Sequence, residues 1–143
     1  MKLRALPGIF VLLIACSSIA YSQSLIEEFS FQIKDFKMDH QTQTNNLNIS
    51  ISYRYITNIQ KSQYPDFRWL AKDVETLLSN YPNKDDYWEI VNKQITAVLL
   101  KKYPGLVAVT CEIKVDPSNV VPYTRTSRVT RERSAARSNR TSQ

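Results

Sequence analysis

The sequence predicts an α+β fold, an antiparallel four-stranded sheet with two helices on one face, in the order strand-strand-helix-helix-strand-strand. Three observations predict it. Apolar residues alternate with polar ones through Leu47, Ile49, Ile51, Tyr53 and Tyr55, and again through Val107, Val109, Cys111, Ile113 and Val115. Each run therefore has one buried and one wet face, as an antiparallel sheet allows. Between the two runs the apolar period lengthens to that of a helix, twice, with Pro82 dividing the pair. The 143 residues leave room for one domain once the ends are set aside.

The first strand is Phe29-Ser-Phe-Gln-Ile33, where the alternation slips at Lys34-Asp35 before Phe36 and Met38, the signature of a bulge. The polar link His40 to Asn46 joins it to the second strand as a hairpin. The first helix starts at Pro65-Asp66 and carries Phe67, Leu70, Val74, Leu77 and Tyr81 at helical spacing. In the second, Asn83 serves as cap, Asp85 and Asp86 occupy the first turn, and Trp88, Val91, Ile95, Val98 and Leu99 form the apolar stripe. Lys101 and Lys102 suit its negative end, and Pro104-Gly105 closes it. After the strand that follows, Asp116-Pro-Ser-Asn119 turns the chain and Val120 to about Arg131 returns as a fourth strand. The two free sheet edges predict either edges broken by charge and bulge or a homo-oligomer paired through them.

Residues 1–22 read as a signal peptide: Lys2 and Arg4 precede the apolar run Leu6–Ala15, and Ala20-Tyr-Ser22 fits a cleavage site. The run is too short to span a membrane. Leu13-Ile-Ala-Cys16 also fits a bacterial lipobox, which would make Cys16 a lipidated first residue. The expectation is an exported protein, secreted or periplasmic, with lipid anchoring to a bacterial membrane as the alternative. Residues 23–131 form the single domain, and 132–143 a disordered basic tail. Ordinary cleavage leaves only Cys111, so no internal disulfide can form, and Cys111 reads as a small buried hydrophobe. Asn48-Ile-Ser50 and Asn139-Arg-Thr141 are acceptor sequons.

The formal charge of +6 belongs to the ends. Gln23 to Tyr123 comes to −1, whereas Arg125, Arg128, Arg131, Arg133, Arg137 and Arg140 face only Glu132 after Thr124. These arginines suit an anionic surface such as lipid head groups or polysaccharide. No aromatic residue interleaves with them, so specific nucleic-acid recognition is not expected. Tyr53, Tyr55, Trp69 and Trp88 are expected to pack between sheet and helices, the alternative being that they line an aromatic ligand site.

The plan resembles the tunnelling fold, and within it the dihydroneopterin aldolase family. Tyr87-Trp-Glu-Ile-Val91, Ile95, Leu99-Leu100, Tyr103-Pro104 and Val107 to Pro117 resemble that family's second helix and the strand after it, with a looser likeness at Tyr64-Pro-Asp-Phe67. The resemblance implies that Glu89 grips a pterin- or purine-like ring by two parallel hydrogen bonds, with Tyr64, Thr57 and Lys114 as further ligand-binding candidates at a subunit boundary. The bare residues allow another reading of Glu89, a surface carboxylate four positions before Lys93. The family's catalytic lysine would stand at Asp116, so no catalytic residue is assigned. His40 is the only histidine, which rules out a three-histidine zinc site within one chain, and neither metal nor cofactor is expected.

Overall fold

The computed structural model describes residues 25–134. The expected signal peptide with Cys16, the arginines Arg137 and Arg140, and the sequon at Asn139 lie outside them. Strands β1 (Glu28–His40), β2 (Gln43–Tyr55), β3 (Leu106–Val115) and β4 (Arg125–Glu132) form one antiparallel sheet in that spatial order, with β1 and β4 as its edges. Helices α1 (Phe67–Ser79) and α2 (Trp88–Lys102) cover one face, α2 lying on β3 and β4 and α1 against β1 and α2. Leu47, Ile49, Ile51 and Tyr53 of β2 and Val109, Cys111, Ile113 and Val115 of β3 supply the sheet's half of the core. The opposite face bears Ser50, Ser52, Thr110, Glu112 and Lys114 and stays wet.

The phase slip in β1 is a bulge between Ile33 and Phe36, where Asp35 takes a φ of 55°. The hairpin link is far shorter than the polar composition suggests. His40 ends β1, Gln43 begins β2, and only Gln41 and Thr42 turn, both at positive φ as a tight twisted hairpin requires. Thr42 is β-branched and ill suited to that backbone, so tertiary bonds must hold the turn. The Gln41 N–H donates to the Lys84 carbonyl at 2.8 Å, and its side-chain amide to the Asp86 carbonyl at 3.1 Å.

The helix start expected at Pro65-Asp66 holds, with Asp66 as the cap of α1, accepting from the Arg68 N–H at 3.0 Å, and the Arg68 guanidinium beside it lowers its carboxyl below the usual carboxylate range. The cap expected at Asn83 is displaced. The N-cap of α2 is Tyr87, without a side-chain bond, and Asn83 instead braces the preceding turn by donating to Asp86 Oδ1 at 2.6 Å. The buried side of α2 is Trp88, Val91, Asn92, Ile95, Thr96, Leu99 and Leu100, while Val98 is 41% exposed. The helix is turned toward Asn92 because that amide finds acceptors on the sheet. Gly105 does not use a left-handed backbone. It is there for space, as a Cβ would lie 2.7 Å from the Gln63 carbonyl oxygen. Val107 is the extra residue where β2 and β3 slip register, and Leu106 fills the core in its place.

Val120 to Tyr123 do not join the fourth strand. Val120 and Tyr123 stand exposed in the connection, which is tied down by Ser118 Oγ donating to Gln43 Oε1 at 2.7 Å. At the far end β4 continues through Glu132, and Arg133 is engaged beyond it: its guanidinium donates to the carbonyls of Leu100 and Tyr103 at the end of α2 and to that of Leu106 at the start of β3. The folded unit thus takes in residues that the composition assigned to the tail, because these helix-end carbonyls need donors.

Candidate functional site

Two grooves lie at opposite ends of α2. The first, at its N-terminal end, has a volume of about 310 Å³ and is lined by Tyr87, Trp88 and Glu89 from the helix, Gln41 from the hairpin turn, Val115 of β3 and Arg125, Thr126 and Ser127 of β4. Each wall has a local cause. The tight Gln41–Thr42 turn is drawn onto the Lys84–Asp86 loop, which sets the helix start against the beginning of β4. Beneath it His40, 1% exposed, packs against Trp88 with ring centroids 4.5 Å apart, and its Nε2 donates to the Asp86 carbonyl at 2.7 Å. Tyr81 donates to Asp86 Oδ2 at 2.7 Å, and burial with that bond pushes its hydroxyl up to about 12. The pocket's base is therefore rigid.

Glu89 is exposed at the rim, and neither it nor Arg125 is in an ion pair among the described residues. Lys93 does not pair with Glu89, although it stands four residues on. Arg125 makes one bond, from Nη2 to Asn45 Oδ1 at 3.3 Å. Its Nε and the Trp88 Nε1 are buried without a partner.

The second groove, about 500 Å³, lies at the C-terminal end of α2 between Gln63–Asp66, Trp69 and Lys102–Gly105. Tyr64 lines it, pinned by a 2.6 Å bond from its hydroxyl to Glu27 Oε2 and packed on Tyr55. Tyr103 is pinned in the same way to Asp73 Oδ2 at 2.6 Å. Burial, followed by that bond, drives its hydroxyl well above the usual tyrosine range. Trp69 is 60% exposed here and not packed between sheet and helices, because it falls on the outer side of the first turn of α1.

One chain does not bring the four candidate ligand residues together. Thr57 sits exposed in the turn after β2, at the Tyr64 end, where Ile56 N–H bonds the Gly105 carbonyl. Glu89 is at the other end of α2, a helix of 15 residues and so about 20 Å long. Lys114 is exposed on the wet face of the sheet. Asp116, where the resembled aldolases have their lysine, is held by Asn46 Nδ2 at 2.6 Å and Asn48 Nδ2 at 3.2 Å. Asn48, the acceptor of the first sequon, is thus tied into the sheet. Cys111 is fully buried, and burial raises its thiol far above the ordinary range, so it is not a nucleophile.

Of the arginines assigned to an anionic surface, Arg128 pairs with Glu112 at 3.3 Å and Arg131 donates to the Lys93 carbonyl. With Arg133 capping α2, Arg125 is the one among the described arginines of this set that lines a groove with a donor unpartnered. Two groups that sequence reasoning missed shape the site, His40 and Asn92. The polar neighbours of His40 conceal its burial, whereas Asn92 and Thr96 could have been found by their spacing of four with Trp88 and Leu100. Among the described residues no helix is long and apolar enough to cross a membrane. No protein-family model matches the chain, and a search of curated proteins finds no match.

Proposed function

We propose that this chain is an exported, non-catalytic binding module that takes a planar, N–H-bearing heterocycle of pterin or purine type in the groove around Glu89, and that copies assemble through the free edges of β1 and β4. One observation carries the ligand reading: an unpaired carboxylate beside the exposed Tyr87 at the mouth of a groove whose floor is the buried Trp88. Such a carboxylate accepts two parallel hydrogen bonds from a ring edge while the aromatic wall stacks on its face. The absence of a catalytic assignment rests on Asp116, an acid already bonded to two amides where the resembled enzymes need a mobile amine. Tyr64 and Thr57 would join Glu89 only across a boundary between copies.

Thermal unfolding with guanine or pterin is expected to shift the protein upward by several degrees, since a ligand at about 100 times its Kd adds about 2.7 kcal/mol to the folded state. Glu89→Ala should abolish the shift while leaving the ligand-free transition nearly unchanged, as the residue is exposed. Absence of a shift with every ring tested would sink the ligand reading.

Assembly is supported by the signs on the edges. Glu28, Asp35 and Asp39 outnumber Lys34 and Lys37 on β1, whereas Arg125, Arg128 and Arg131 outnumber Glu132 on β4. That complementarity favours β1 of one copy beside β4 of the next, a head-to-tail contact that can close into a ring. Light scattering during size exclusion should give a whole multiple of the single-chain mass. A single-chain mass at micromolar concentration would remove the assembly.

A further inference from the structure

We propose that the ligand of the Glu89 groove carries a carboxylate, received by Arg125; this rests on the groove being the ring site. The groove has two charged side chains of opposite sign, Glu89 on α2 and Arg125 at the start of β4, and neither is neutralised by an ion pair among the described residues. A ring whose N–H edge is taken by Glu89 leaves Arg125 unanswered.

Of the buried polar atoms left without a partner, the two on residues that line the groove are donors, whereas His40 Nδ1 beneath it and Asn92 Oδ1 are acceptors. Arg125 Nε is buried without an acceptor, and the guanidinium is held only by the 3.3 Å bond from Nη2 to Asn45 Oδ1. Trp88, 7% exposed and part of the groove lining, has an Nε1–H with no acceptor. The N-terminus of α2 has no side-chain cap, so the positive end of its dipole meets the same groove. A buried donor without a partner costs free energy that a matching acceptor recovers. The acceptors of a neutral heterocycle, its ring nitrogens and carbonyl, carry no negative charge to answer the guanidinium. A carboxylate supplies two oxygens in the geometry to which a guanidinium donates a parallel pair of N–H bonds, and it lies against the favourable end of the helix. Glu89 limits where that carboxylate can sit, since like charges repel: the arm must lie on the β4 side and the ring edge on the α2 side. The groove therefore reads a ligand with polarity, its hydrogen-bond donors at one end and its anion at the other.

The test compares pterin with pterin-6-carboxylate by calorimetric titration of the whole protein and of Arg125→Gln, Arg125→Lys and Glu89→Gln. Wild type should bind pterin-6-carboxylate at least about 10-fold more tightly than pterin, the scale expected of a charge-assisted bidentate contact. Arg125→Gln should erase that preference yet still bind pterin, which shows the variant folded, and Arg125→Lys should restore part of the preference. Glu89→Gln should weaken both ligands alike. If both bind wild type equally, or Arg125→Gln keeps the preference, the carboxylate assignment is overturned and the ring site stands. If neither binds, the ring site itself fails.

Discussion

Asn92→Ala is expected to lower the melting temperature by about 5–15 °C, the shift that a loss of about 1–3 kcal/mol brings in a domain of this size. The residue is wholly buried at the centre of α2, and its Nδ2 donates to the Cys111 carbonyl at 3.0 Å, the Ser127 carbonyl at 3.0 Å and Ser127 Oγ at 3.2 Å. One amide thus fastens the helix to two adjacent strands. Alanine leaves those three oxygens without their donor and opens a cavity beside them, so the cost combines lost bonds with lost packing. Asn92→Asp should be worse still, because it turns a donor into an anion aimed at three acceptors. Thermal melts followed by circular dichroism check both. A melting temperature for Asn92→Ala within about 1 °C of wild type would show that packing alone holds α2 to the sheet.

Gly105→Ala should cost about 1–3 kcal/mol, the range for forcing extra volume into a filled site. The added methyl would meet the Gln63 carbonyl oxygen at 2.7 Å and Ile59 Cδ1 at 3.1 Å, and the first of these is backbone. No rotamer change relieves it, so the Lys61–Gln63 turn must move away from the start of β3. That turn leads into Tyr64 and the Asp66 cap of α1, and the aromatic groove at the C-terminal end of α2 should widen or lose its wall. Urea unfolding should register the loss of stability, and acrylamide quenching should find Trp69 altered. An unchanged midpoint together with unchanged quenching would mean that the turn yields freely.

The sheet and both helices were legible because periods of two and near four are set by burial on one face, and the β-β-α-α-β-β order held in the structure. Even the β1 bulge was readable, since one inserted residue inverts the alternation after Lys34. What escaped were features decided between distant segments. His40 looks like part of a polar loop, yet the Lys84–Asp86 carbonyls pull the turn tight and bury it. Val98 looks like core and is exposed, because the interstrand acceptors for Asn92 fix the rotation of α2. At the groove, Glu89 was singled out from the sequence, but Arg125 was counted only among the surface arginines. Its partnership with the groove depends on β4 beginning beside the α2 N-terminus, a juxtaposition that no local pattern encodes.

The two tryptophans are divided between the two grooves, Trp88 buried under the one and Trp69 open at the other. The molecule thereby carries its own pair of optical reporters. A blue-shifted emission belongs to the end where Glu89 and Arg125 sit, and a red-shifted, quenchable one to the end where Tyr64 and Tyr103 stand, so an event at either end is spectrally separable without a label.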